Sequence, residues 1–120
     1  MITSTQITNA TDTLLFPKTV PELTYTGSYA VTVMIFCNTA TPNPLDETEN
    51  AVSLELHVLM SGQDVSDDNC IVKNLVVPAG ETVFFDTERL VLTNGDFIKG
   101  KLTAVDGTGS ITATVSTLTV

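Results

Sequence analysis

The chain has 120 residues, 42% of them hydrophobic, and carries fourteen Asp and Glu against five Lys and Arg, a net charge of −9. This length predicts one domain with a modest core, and the acidic balance argues against binding to nucleic acids or to anionic membranes. No apolar run approaches the roughly 18 residues needed to cross a bilayer. The first residues also lack the charged and apolar regions of a secretory signal.

The N-terminal segment is polar at first and strongly apolar afterwards. Residues 14–23 contain Pro17 and Pro21, which exclude a helix and a central strand. Because this apolar material must be covered, we expect residues 1–23 to form an extended arm or edge segment beside a β-sandwich domain at 24–120. The residues expected to contact a neighbouring chain are Leu14, Leu15, Phe16 and Val20.

The rest of the chain has the pattern of short strands. Residues 24–38 alternate at first and are apolar on both faces from Val33 onward, which predicts burial on both sides. Residues 51–60 point apolar side chains inward and Glu55 and His57 outward. Turn signals recur at intervals of about 8–12 residues without a helical period. We therefore predict an all-β fold, a single antiparallel β-sandwich of Ig-like or jelly-roll type with about eight strands.

Two turns in the C-terminal third are expected to close hairpins. The Asn94-Gly95 pair is a strong short turn signal, because both residues tolerate positive φ. It predicts that residues 97–105 pair back on the strand before the turn. A second hairpin-type turn is expected at residues 106–109, before the last strand.

The apolar pattern of the last strand changes phase. Ile111, Ala113 and Val115 share one face, whereas Leu118 and Val120 share the other. A ladder of period two does this only with a bulge or a change of packing partner. We expect a bulge in the Ser-Thr pair that follows Val115, or a tail that leaves its sheet.

The one histidine is the first candidate for chemistry. His57 lies in a strand beside Glu55, in the outward register, and a catalytic role would need a nucleophile or second base brought to it by tertiary contact. We interpret it as a solvent-facing residue and expect no catalysis and no cofactor.

Two acidic loops offer oxygen atoms to cations. The loop at residues 61–69 suits calcium chemically but lacks the EF-hand spacing, and the Pro-rich loop at 39–50 could instead contact a basic surface. We interpret both as solvated loops and expect no metal. Their carboxylates are Asp64, Asp67 and Asp68, and Asp46, Glu47 and Glu49.

The two cysteines are expected to be reduced and buried. Cys37 and Cys70 each have an apolar neighbour, and two cysteines without a secretory signal do not make a disulfide framework. A bridge between them remains the alternative.

Two adjacent segments carry a family resemblance. Residues 68–82 contain a strand and a Pro-Ala-Gly-Glu-Thr turn, and residues 86–98 contain Leu-Thr-Asn-Gly-Asp before another strand. Over residues 25–120 this order resembles small β-sandwich structural proteins of tailed bacteriophages. Such proteins serve as head decoration (cement) proteins or as neck and tail parts.

The resemblance implies a virion structural protein. It implies a capsid decoration protein on the capsid surface, a homotrimer whose partner is the major capsid protein or another virion protein, with residues 1–23 as the binding arm. On this reading, deleting residues 1–23 leaves a folded domain that no longer binds particles. The alternatives are a neck or tail adaptor, a free binding module for a glycan or host protein, and a calcium-stabilised domain.

Overall fold

The computed structural model describes residues 2–7, 12–17, 26–86 and 90–120, which form two packed antiparallel sheets. Sheet A has the strand order β1-β9-β3-β6, with β7 also paired to β3, and sheet B has the order β2-β8-β4-β5. The prediction of an all-β sandwich is confirmed. The strands are β1 (Ile2–Ile7), β2 (Thr13–Phe16), β3 (Ser28–Asn38), β4 (Val52–Leu59), β5 (Cys70–Val77), β6 (Thr82–Phe85), β7 (Val91–Thr93), β8 (Phe97–Val105) and β9 (Ile111–Thr119).

Both predicted hairpin turns connect the two sheets. Asn94 and Gly95 have the expected positive φ values of 46° and 91°, but β7 pairs with β3 while β8 pairs with β2 and β4. The turn at residues 106–109 likewise leads from β8 in sheet B to β9 in sheet A. The prediction of hairpins was therefore wrong, because each turn connects strands of different sheets across the core. The positive φ values predicted for Asn94 and Gly95 are confirmed.

The N-terminal strands close one side of the sandwich. β1 is the edge of sheet A and β2 the edge of sheet B, and the Thr3 hydroxyl donates to the Leu15 carbonyl oxygen at 3.0 Å. The side chains of Ile7, Leu15 and Phe16 are at most 1% exposed within the core. Deleting residues 1–23 would remove these three side chains from the core, and a folded remainder after this deletion stays a prediction.

Three of the four residues predicted to contact a neighbouring chain lie in the described part of the structure, and they differ in burial. Leu15 and Phe16 are core residues in this fold and do not reach the surface. Leu14 is half-buried and paired with Lys99 across to β8, and Val20 lies outside the described residues.

A bulge in β3 decides which side chains enter the core. Val31 pairs with Thr117 and Val33 with Ser116, so Thr32 has no partner residue in β9. A shift of one residue moves every later side chain to the other face. Met34 and the alternate residues after it are buried, while Val33 and its alternates face outward and are half-buried.

The prediction of a phase change and bulge in β9 was wrong, because the extra residue of this strand pair lies in β3. The β9 strand alternates regularly, with Ile111, Ala113, Val115 and Thr117 buried. Thr117 therefore occupies a core position, and Leu118 lies on the outer face, 60% exposed. The extra residue is in β3, directly across from the Ser-Thr pair where the sequence pattern placed it in β9.

Asn38 joins three loops at one end of the sandwich. Its side chain is fully buried, and its amide donates to the carbonyl oxygens of Asn50 at 2.8 Å and Val77 at 3.0 Å. Its side-chain oxygen accepts from the backbone N–H groups of Ala40 at 3.1 Å and Ser110 at 3.5 Å. This one side chain therefore fixes the loop after β3, the end of β5 and the turn before β9.

The neighbours Leu14 and Leu15 give a matched test of the N-terminal strand. Leu15→Ala should lower the free energy of unfolding by about 2–5 kcal/mol, because it leaves a cavity in the core. Leu14→Ala should cost about 1 kcal/mol or less, because that side chain is half-buried on the outer face. Urea denaturation of both variants checks this, and equal losses would contradict the assignment of β2 to the core.

Candidate functional site

Among the described strand residues, the outer face of sheet A carries no charge. Register and burial place sixteen described strand residues outward on it, and none of them bears a carboxylate, ammonium or guanidinium group. We call this surface the neutral face. Its residues are Ile2, Ser4, Gln6, Ser28, Ala30, Val33, Ile35, Cys37, Thr82, Phe84, Val91, Thr93, Thr112, Thr114, Ser116 and Leu118.

The neutral face combines exposed apolar side chains with short hydroxyls. Phe84 is 67% exposed and pairs across with Ile35, and Ile2 and Leu118 are 70% and 60% exposed. The cores of protein interfaces are likewise depleted of charge and enriched in aromatic side chains. The surface therefore has the composition of an interface.

The size of the neutral face suits a protein partner. Four strands lie side by side about 4.8 Å apart, and over the nine residues of β9 the rise is about 3.3 Å per residue. The area of the face is therefore roughly 570 Å². A standard interface buries about 800 Å² on each partner. The neutral face alone therefore supplies most of one side of such an interface.

The outer face of sheet B has the opposite character. Lys73, Lys99 and Lys101 lie on it, and they are the cationic side chains among the described residues. Lys18 and Arg89 lie outside those residues. The two outer faces thus differ sharply in charge.

A buried ionic network lies on the outer face of sheet B. Glu55 and His57 are 4% and 1% exposed, so the prediction of a solvent-facing histidine was wrong. The Glu55 carboxylate lies 3.2 Å from His57 Nε2, 3.2 Å from Lys101 Nζ and 3.4 Å from Lys73 Nζ. The sequence placed both residues on the outward register correctly, but the loop at 61–69 and the lysine side chains cover them.

The residues around Glu55 determine the pKa of its carboxyl group. Burial raises the pKa of this carboxyl, but hydrogen bonds from His57 and Lys101 and the charges of Lys101 and Lys73 outweigh burial. The pKa of Glu55 is therefore lowered from its ordinary value, and the carboxylate is ionised. Since both His57 nitrogens contact Glu55 and Asn69, the ring is engaged structurally. That the protein is not an enzyme stays a prediction.

The acidic loop at 61–69 has local and cross-strand contacts. Asp67 lies 3.3 Å from Lys73 Nζ, and Asp67–Asn69 form a 3-10 turn. Across the described ranges, no group of three or more His, Cys, Asp or Glu side chains is arranged to hold a metal ion. The absence of a bound metal in the functional protein stays a prediction.

The Pro-rich loop forms one wall of a cleft. With Pro78, Ala79 and Glu81 it encloses about 430 Å³ lined by the carboxylates of Asp46, Glu47, Glu49 and Glu81. Hydrogen bonds from the side chain and then the backbone N–H of Thr48 lower the pKa of Asp46.

Both cysteines are free thiols in the structure. Cys37 lies on the neutral face of sheet A, and Cys70 begins β5 in sheet B. Both are half-buried rather than fully buried.

The sequence matches no protein-family model and no curated protein. The resemblance to phage structural proteins therefore stays a prediction. In the part of the chain that the structure describes, no helix is long and apolar enough to span a membrane.

The buried carboxylate gives a prediction for acid stability. A folded-state pKa below the ordinary 4.5 means that Glu55 stabilises the fold above that pH and loses this contribution as pH falls through the lower value. Glu55→Gln should cost about 2–3 kcal/mol at about pH 6, because it leaves His57 and two lysines without their anion.

The difference between Glu55→Gln and the natural sequence should shrink as the pH falls below 4.5 and through the lowered pKa of Glu55, because the carboxylate is protonated below that pKa. Urea unfolding at a series of pH values measures it. Glu47→Gln, in the exposed loop, is the control and should leave stability unchanged. A Glu55→Gln effect that is constant across this range would contradict the ionic role.

Proposed function

We propose that this protein is a structural component of a virion, a capsid decoration protein that binds the shell through its neutral face. The observation that carries the proposal is the uncharged, partly apolar outer face of sheet A on a chain of net charge −9. In this proposal the partner on the neutral face is the major capsid protein.

The charge distribution supports contact through this surface. Burying an unpaired charge is costly, whereas burying Ile, Val, Phe and Thr side chains is favourable or nearly neutral. The acidic loops, including Asp46 and Asp67, lie outside the neutral face. A partner can therefore cover the neutral face without covering the carboxylates of these two loops.

The resemblance of the strand and turn order over residues 25–120 supports a virion location. A cement protein acts mechanically, by bridging neighbouring subunits, and a rigid sheet suits this role because its shape changes little under load. We include the homotrimer in the proposal, since several copies on one symmetry axis would multiply the contact with the shell.

A glycan-binding module is less well supported. Carbohydrate sites favour exposed aromatic platforms, but Phe84 is the one aromatic side chain among the described residues that is largely exposed. Tyr29 is half-buried and packs edge to face against Phe16, with ring centroids 5.4 Å apart. Tyr25 lies outside the described residues.

A pair of matched substitutions tests the proposal. Phe84→Asp puts a charge on the neutral face, and Val76→Asp puts one on an exposed apolar position of β5 in sheet B, 52% exposed. Phe84→Asp should weaken binding to undecorated capsids at least tenfold, about 1.4 kcal/mol, because the carboxylate would be buried. Val76→Asp should bind as the unmodified protein does.

Co-sedimentation with purified capsids measures binding, and circular dichroism checks that both variants fold. Equal binding by all three proteins would contradict the use of the neutral face. Binding to purified necks or tails in place of heads would move the protein to another part of the virion.

A further inference from the structure

The side chain of Asn69 has one defined orientation. Its oxygen Oδ1 accepts from the Ser66 backbone N–H at 3.1 Å, and its amide Nδ2 donates to the Asp64 carbonyl oxygen at 2.9 Å. Reversing the amide would lose both bonds, since oxygen cannot donate and NH₂ cannot accept. Oδ1 therefore faces His57 Nδ1, at 2.8 Å.

The other ring nitrogen of His57 also faces an acceptor. Nε2 lies 3.2 Å from Glu55 Oε1, and the adjacent Lys73 and Lys101 keep this carboxylate ionised. Both ring nitrogens thus point at oxygen lone pairs. Only an imidazole protonated on both nitrogens can donate to both at once.

The groups around the ring come from four elements. Glu55 lies on the same strand, Cys70 and Lys73 come from β5, and Lys99 and Lys101 come from β8. Lys99 Nζ lies over the Phe97 ring, 5.5 Å from its centroid. Asn69, from the 3-10 turn, makes the direct link between the ring and the loop.

We infer that the second proton on His57 fastens the loop at 61–69 to the outer face of sheet B. Without that proton, one of the two ring nitrogens turns a lone pair toward an oxygen, and that contact becomes repulsive. Glu55 is an ionised acceptor held by two lysines, and a hydrogen bond to a charged acceptor is the stronger one, so the remaining ring proton stays on Nε2. The Nδ1 lone pair then faces Asn69 Oδ1, and this contact between ring and loop is lost.

Parallel measurements on the unmodified protein test this coupling. Nuclear magnetic resonance of the ring nitrogens follows the protons on His57 across a pH series, and hydrogen exchange follows the Ser66 amide, which bonds to Asn69. We expect the protection factor of Ser66 to fall about tenfold in step with loss of the second ring proton. Core amides such as that of Phe36 should keep their protection.

Three outcomes would overturn the inference. The first is Ser66 protection that does not change when the ring loses its second proton. The second is a ring that carries one proton wherever the loop is protected. The third is equal loss of protection at Phe36, which would mean that the whole domain is destabilised.

His57→Gln provides a variant control. Glutamine does not titrate, so the protection of Ser66 should become independent of pH in this variant. Retention of the original pH dependence would also overturn the inference, because it would assign the coupling to another group.

Discussion

The bulge at Thr32 is the constraint on which the arrangement of sheet A depends. By leaving one residue of β3 without a partner in β9, it moves Met34 and its alternates into the core and Val33 and its alternates to the outside. The Thr32 hydroxyl donates to the Ser116 carbonyl oxygen at 3.0 Å and so stabilises the extra residue. Without the bulge, the outer face would carry a different set of side chains.

The two outer faces have different chemistry. On sheet B, Glu55 is in contact with His57, Lys73 and Lys101 in one network, and His57 connects this network to the loop at 61–69 through Asn69. On sheet A, short hydroxyls and apolar side chains leave a surface that a second protein can cover at little electrostatic cost. The hydrogen bonds of Asn38 tie together three loops at one end of the sandwich.

The sequence was sufficient for the class of fold, because alternation along the strands and the turn residues are local signals. It was insufficient where non-local contacts decide. The burial of Leu15 and Phe16 depends on the pairing of β2 with β8, which the local sequence does not show. The burial of His57 likewise depends on its contact with Asn69. The neutral face could have been found from Thr112, Thr114 and Ser116, which alternate with the core residues of β9, but its β3 half was hidden by the bulge.

In the proposed function, the outer face of sheet A is buried in an assembled particle. A cryo-electron microscopy map of decorated capsids would show this directly. We expect β9 and β3 to face the shell, with Phe84 within contact distance of a capsid subunit and the lysines of sheet B toward solvent. A map in which sheet B faces the shell and Phe84 points to solvent would contradict it.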